Sequence, residues 1–168
     1  ISAGDVTLRR VAPGNDRRLP IAGSTNSLTI SDQFYQDGRY YNVEQIRFAD
    51  GTTWDMATMR AKALAGTAGV DTLTGYSGAV VLDGGGGNDT LDGGKGSDTY
   101  KFGRASGSDL IDESYDSSTT AVDVIALDAG ITAADVTLRR IGTSNDVRLS
   151  IAGSTNTLTI SDQLYQDG

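Results

Sequence analysis

The sequence predicts an all-β protein: a stack of very short strands, extended by further strands and closed by one short helix. Three observations carry that prediction. Residues 66–101 fall into four consecutive nine-residue blocks, GTAGVDTLT, GYSGAVVLD, GGGGNDTLD and GGKGSDTYK, with the last residue of the fourth at Lys101. Outside them, short alternating segments are separated by turn residues, and only Trp54–Leu64 reads as a helix. Finally, residues 1–38 return at 131–168 with 28 of 38 positions identical.

Every block opens with glycine and carries another at its fourth position. Asp71, Asp89 and Asp98 fill the sixth position in three blocks, where the second block has Val80; Leu73, Leu82, Leu91 and Tyr100 fill the eighth. Glycine-rich positions let the backbone turn tightly into φ > 0 regions, where a Cβ would clash. Such a turn points carbonyl oxygens inward, and an aspartate at its end adds a charged oxygen. Oxygen-only sets of this kind suit calcium. The closing residues, such as Thr90-Leu91-Asp92, suit a short strand with one inward apolar side chain. One leucine per nine residues cannot form a core alone, so the units must stack. A flexible linker shares the glycine content, but would not hold leucine and aspartate in phase over four blocks.

Composition narrows the chemistry. The chain has 168 residues, 38% of them hydrophobic, which is low for a thick globular core and ordinary for a thin solenoid. A net charge of −8 argues against nucleic acid as a partner, because neutralising phosphates needs a basic face. Of the 22 acidic residues only Glu44 and Glu113 are glutamates. Aspartate is the turn former and the short-armed cation ligand, so the bias fits turns loaded with metal. With no cysteine and no histidine, disulfides, the usual zinc sites and histidine-based triads are excluded. No run is long enough to span a membrane, and no secretory signal begins the chain.

Taken in order, Asp5–Val11 alternates as a strand with Val6, Leu8 and Arg10 on one face, and Pro13-Gly14-Asn15-Asp16 signals a turn. Leu19–Ala22 and Leu28–Ser31 read as strands around Gly23-Ser24-Thr25-Asn26, Tyr35–Gly38 as a polar loop, and Val43–Phe48 as a strand before the Asp50-Gly51 turn. Turns of a roll and an antiparallel meander would both give this spacing. In Trp54–Leu64, Asp55 can cap the helix, Met56, Met59 and Ala63 share a face, and Gly66 follows. Its expected role is to cover the open end of the stack. After Lys101 the register slips by two residues at Phe102-Gly103, resuming in Ser108–Asp112 and again at Asp123-Val124-Ile125. The expected division is therefore a strand module at 1–53, the helix at 54–65, the stacked repeats at 66–112 and a strand extension at 113–168. An offset of 130 residues makes the chain one full unit plus the first 38 residues of the next, which suggests a piece of a longer tandem array.

The nine-residue block closely resembles the RTX (hemolysin-type) nonapeptide, G-G-x-G-x-D-x-U-x. DVTLRR, SLTISDQ and VEQIRFADGTTW resemble the module that alternates with such blocks in large secreted bacterial RTX proteins. The resemblance implies a right-handed parallel β-roll, two nonapeptides per turn, with calcium held between turns eighteen residues apart. One implied site combines Gly66, Ala68 and Asp71 with Gly85, Gly87 and Asp89. A second combines Gly84, Gly86 and Asp89 with Ala105, Gly107 and Asp109, so that Asp89 bridges two ions. On the opposite edge, the site joining Gly75 and Ser77 to Gly94, Gly96 and Asp98 lacks a carboxylate at Val80 and is expected to be weak or empty. A further site would join Gly93, Lys95 and Asp98 to the turn ending at Asp123. The resemblance also implies export by type I secretion and folding in extracellular calcium, with neighbouring units as partners.

No residues point to enzymatic chemistry. The cluster Asp112, Glu113 and Asp116 reads as a solvated loop or a peripheral cation contact, and the serines lack a histidine to activate them. Gly84–Gly87 lacks the lysine and following helix of a phosphate loop. Arg9, Arg10, Arg139 and Arg140, with Tyr35, Tyr40, Tyr41, Tyr165 and Trp54, leave a second reading open: an adhesin module that binds extracellular polysaccharide or a cell surface.

Overall fold

The computed structural model describes residues 1–11, 16–34, 42–113 and 120–162. The chain divides into two units, Ile1–Ala63 and Leu64–Gly168. Strands dominate both, and one α-helix is present among the described residues.

The first unit opens with a 3-10 turn, Ala3–Asp5, closed by the Asp5 carboxylate accepting from the Ser2 amide and hydroxyl at 2.8 Å each. An antiparallel meander follows: β1 (Arg9–Val11), β2 (Asp16–Pro20) and β3 (Ser27–Ile30), in that spatial order. The ambiguity between roll turns and a meander is thus resolved for the flanks as antiparallel. Val6 joins only by an isolated bridge to Ile21, so the regular strand is shorter than Asp5–Val11. Pro13 to Asn15 lie outside the described residues, as does the loop from Tyr35. A hairpin of β4 (Gln45–Arg47) and β5 (Thr53–Asp55) leads into α1 (Met56–Ala63).

The helix starts two residues later than its periodicity suggests. Trp54 pairs with Ile46 across the hairpin and meets the Phe48 ring edge-on at 4.7 Å, so tertiary contact claims it for the strand. Asp55 caps the helix as expected, accepting from the Thr58 amide at 2.8 Å. The helix packs against β1 and β5, and Met59 and Ala63 are buried while Met56 is half-buried. Val6, Leu8, Leu19, Phe34 and Trp54 supply the other buried apolar side chains of this unit. Gln33, wholly buried, replaces a strand neighbour. Its side-chain amide donates to the Val43 carbonyl at 2.8 Å and accepts from the Val43 amide at 3.0 Å.

In the second unit successive strands alternate between two sheets. β6 (Ala65–Thr67), β8 (Val81–Gly85), β10 (Thr99–Phe102) and β12 (Val124–Leu127) form one, all parallel. β7 (Thr72–Tyr76), β9 (Thr90–Gly94) and β11 (Ser108–Ile111) form the other, also parallel. Thr72 faces Thr90 and Val81 faces Thr99, two nonapeptides apart. Leu110 then faces Thr90, which absorbs the two-residue slip seen after Lys101. The eighth-position residues Leu73, Leu82, Leu91 and Tyr100 are all buried, in one cluster with Phe102 and Ile111.

Within the strand extension β12 continues the parallel stack, as the register at Asp123-Val124-Ile125 suggested, but the strands after it do not. β13 (Val136–Arg140), β14 (Val147–Ile151) and β15 (Thr157–Ile160) form an antiparallel meander, joined to the second sheet by β15 pairing parallel to β11. Leu149, Ile151 and Leu158 complete the same buried cluster. Parallel strands on two sheets and antiparallel flanks therefore coexist in an all-β unit.

Candidate metal centre

The stacking places the sixth-position aspartates in columns at the turns. On one edge, Asp89 accepts from the Asp71 amide at 2.8 Å, and Asp109 accepts from the Asp89 amide at 3.0 Å. On the other, Asp98 accepts from the Val80 amide at 2.9 Å, and Asp123 from the Asp98 amide at 2.8 Å. Each carboxylate reaches back to the turn before its own. Both edges expected from the repeat spacing are thus present, and Val80 stands in the column where a carboxylate is missing. Its side chain packs against the buried cluster instead.

Glycine is required where adjacent turns touch. A Cβ on Gly66 would collide with the Gly84 carbonyl, and one on Gly84 or Gly93 with the carboxylate of Asp89 or Asp98. Gly107 has φ +93°, and a Cβ there would collide with the Gly87 carbonyl oxygen. Ala68, Gly86 and Ala105 lie one above another: a Cβ on Gly86 would sit 3.7 Å from Ala68 and 3.6 Å from the Ala105 carbonyl oxygen. Gly85 rests on Thr67, and Gly94 and Gly96 on Tyr76 and Gly78–Ala79. The turns that carry the predicted residues of the first edge therefore lie against one another. Their carbonyls keep a second lone pair even where one accepts an amide, as Gly87 does from Ser108 at 3.2 Å.

The electrostatics of these columns are unfavourable for bare carboxylates. Asp89 is 2% exposed, and its Oδ2 is buried with no hydrogen-bond partner. Burial raises its pKa, the Asp71 charge adds to that, and the Asp71 amide opposes it. Asp109 is pushed up to about 6, by burial first and the Asp89 charge second. Asp71 differs: its Oδ2 accepts from the Thr67 amide at 2.6 Å and hydroxyl at 2.7 Å. An orphaned carboxylate oxygen beside close-packed backbone, with only oxygen donors at hand, fits a hard divalent cation.

The second edge holds a residue that the repeat pattern does not reveal. Asp98, Glu113 and Asp123 bring carboxylate oxygens within 4.8 Å of one another. Glu113 is pushed up to about 7, by burial and then by the charges of Asp123, Asp92 and Asp98. Glu113 follows β11, and Asp98 meets Asp123 across 25 residues rather than eighteen. The Asp98–Asp123 pair is the one expected from the sequence, whereas Glu113 lies outside the repeat and only the fold brings it to them. The one sequence signal is that Glu113 is one of two glutamates in an aspartate-rich chain. Of its sequence neighbours, Asp112 is exposed and Asp116 lies outside the described residues. Lys95 is exposed, its amide donating to the Tyr76 carbonyl at 3.2 Å.

Of the residues suggested for polysaccharide, Arg9, Arg139 and Arg140 are exposed. Trp54 is 2% exposed, with the Lys62 ammonium 4.5 Å from its ring centroid. Tyr35, Tyr40, Tyr41 and Tyr165 lie outside the described residues.

The arrangement defines a class: a calcium-binding repeat in which stacked turns present aspartates in columns. Residues 65–100 match the RTX calcium-binding nonapeptide repeat family, and residues 18–58 match the haemolysin-type calcium binding protein related domain. The chain thus carries RTX calcium-binding repeats at residues 65–100. A comparison with curated proteins finds no match. No described helix is long and apolar enough to cross a membrane.

Proposed function

We propose that this chain is a structural module of a secreted or cell-surface RTX protein, in which a right-handed parallel β-roll folds on calcium outside the cell. The observation that carries the reading is the buried Asp89 carboxylate. Its Oδ1 is held by the Asp71 amide, while Oδ2 has no hydrogen-bond partner. Calcium, when bound, supplies the positive charge that offsets stacked carboxylates in this buried setting. Gly66, Ala68 and Asp71 with Gly85, Gly87 and Asp89 would hold one ion; Gly84, Gly86 and Asp89 with Ala105, Gly107 and Asp109 a second. Asp98, Glu113 and Asp123, with Gly93, would hold a third, while Val80 leaves the Gly75–Asp98 position poor. The chain's own residues do the rest: glycines admit close backbone approach, and the leucine column closes the interior.

Ion binding becomes folding free energy, because the unfolded chain has no assembled site. Low calcium inside the cell would then keep the chain exportable, by type I secretion, and millimolar calcium outside would fold it. The module has no catalytic task. It acts as a spacer or stackable block beside neighbouring units of its own chain. Far-ultraviolet circular dichroism should show a cooperative gain of β signal as calcium rises from EDTA to about 10 mM, and magnesium should not reproduce it. A β spectrum already complete in EDTA would remove the folding switch.

A further inference from the structure

The repeated segments 1–38 and 131–168 adopt one backbone design in two settings. Arg9 faces Arg18 as Arg139 faces Arg148. Leu19 faces Leu28 as Leu149 faces Leu158. Asp32 and Asp162 both have positive φ, 52° and 49°, with their amides donating to Asp16 and Asp146 at 3.0 Å. Local folding is shared, so differences in burial report what surrounds each copy.

The edges of the third strands differ. In the second copy β15 pairs along its whole length with β11, and Leu158 is 1% exposed. In the first copy β3 pairs with β2 alone among the described residues, and the equivalent Leu28 is 59% exposed. A second contact accompanies the pairing. Arg104, in the turn before β11, donates to the Ala152 carbonyl and lies 3.6 Å from the Asp135 carboxylate. Its carbonyl accepts from the Ser154 hydroxyl at 3.2 Å and the Asn156 amide at 2.7 Å. The first copy keeps every one of these receiving groups, as Asp5, Ala22, Ser24 and Asn26, and all four residues are exposed.

We propose that the β3 edge, Ser27–Ile30, together with Asp5, Ala22, Ser24 and Asn26, is a docking surface for the Arg104–Ile111 segment of another copy of this unit. This rests on reading the module as a stackable block, and it names which block surface is received by which. The arginine enters first-copy groups identical to those that hold it in the second copy. The parallel strand Ser-Asp-Leu-Ile then covers Leu28 by β-addition. Each meander accordingly terminates the sheet of the repeat block before it. Exposure of an apolar strand edge is otherwise an association hazard.

The test is a tandem protein in which residues 1–130 precede the full 168-residue chain. The chain has no cysteine, so a single Leu28→Cys reports burial by thiol labelling. In calcium, this cysteine in the middle meander should label at least about tenfold more slowly than Leu28→Cys in the single chain, as expected for a thiol that reacts only after local opening. Leu158→Cys sets the slow reference. Arg104→Ala in the leading unit should speed labelling of the middle meander and leave the last one unchanged. Fast labelling of the middle meander beside a slow Leu158→Cys overturns the docking surface and spares the calcium module. Fast labelling of Leu158→Cys as well means that the seat on β11 is absent, and both readings fall.

Discussion

The two units use the same acid in opposite ways. In the first, Asp5, Asp50 and Asp55 lie at the surface and accept from Ser2, Thr52 and Thr58, and these hydrogen bonds lower their pKa values. In the second, Asp89 and Asp109 are buried in a column, and desolvation raises them. The first arrangement is complete within the chain. The second leaves an oxygen of Asp89 unmatched. A carboxylate that caps a turn stabilises by itself, whereas one buried beside another costs stability while its charge is not offset.

The largest effect that separates the units is removal of calcium. In EDTA, amide protection of β9 and β11 should collapse while the β4–β5 hairpin and α1 stay protected, read by hydrogen exchange. Equal loss in both units would mean that the first has no stability of its own. Next come core truncations. Met59→Ala and Leu82→Ala, each at a fully buried site, should cost about 2–5 kcal/mol by urea denaturation. The Met59 cost should persist in EDTA, and the Leu82 cost should be measurable only in calcium.

Within the column, Asp89→Asn should move the calcium midpoint upward by about tenfold or more, and further than Asp71→Asn, whose carboxylate is already engaged by Thr67. Equal shifts would contradict the bridging position of Asp89. The pH response should differ in sign. For Asp109 and Glu113 the folded values are raised, so in EDTA their favourable contribution is complete below the ordinary carboxylate values and is lost as pH rises through about 6 and about 7. For Asp5, Asp50 and Asp55 the folded values are lowered, so their contribution is present above 3.8 and lost as pH falls below it. Far-ultraviolet circular dichroism in EDTA checks the first: lowering the pH from 8 to 5 should restore part of the β signal of the second unit, and less β signal at pH 5 than at pH 8 would refute it. The smallest effect is Asp55→Ala, which should lower the urea midpoint of the first unit slightly through the lost helix cap, equally with and without calcium.

The nonapeptide region was the most legible part of the chain. Its strands, leucine column, aspartate edges and the slip after Lys101 all follow from a strict local period. The flanks were legible as strands but not as a topology, since alternation alone does not distinguish parallel from antiparallel neighbours. Trp54 escaped its helix because a partner 8 residues away, Ile46, pairs with it across a hairpin. Glu113 was legible only as a solvated or peripheral cation contact, because it lies outside the repeat and only the fold brings it to Asp98 and Asp123. Leu28 and Leu158 mark the limit of local reading. Their sequence surroundings are nearly the same, and their burial is opposite.

The aspartate columns also have a polarity. Past Asp71, each column carboxylate clamps the amide of the turn before it: Asp89 on Asp71, Asp109 on Asp89, Asp98 on Val80 and Asp123 on Asp98. Cutting a turn away from the N-terminal side would orphan a carboxylate of the turn behind it, whereas cutting from the other side would orphan a backbone amide. The stack is therefore a ratchet that locks from behind. The amide of each turn is thus secured only once the turn after it is in place.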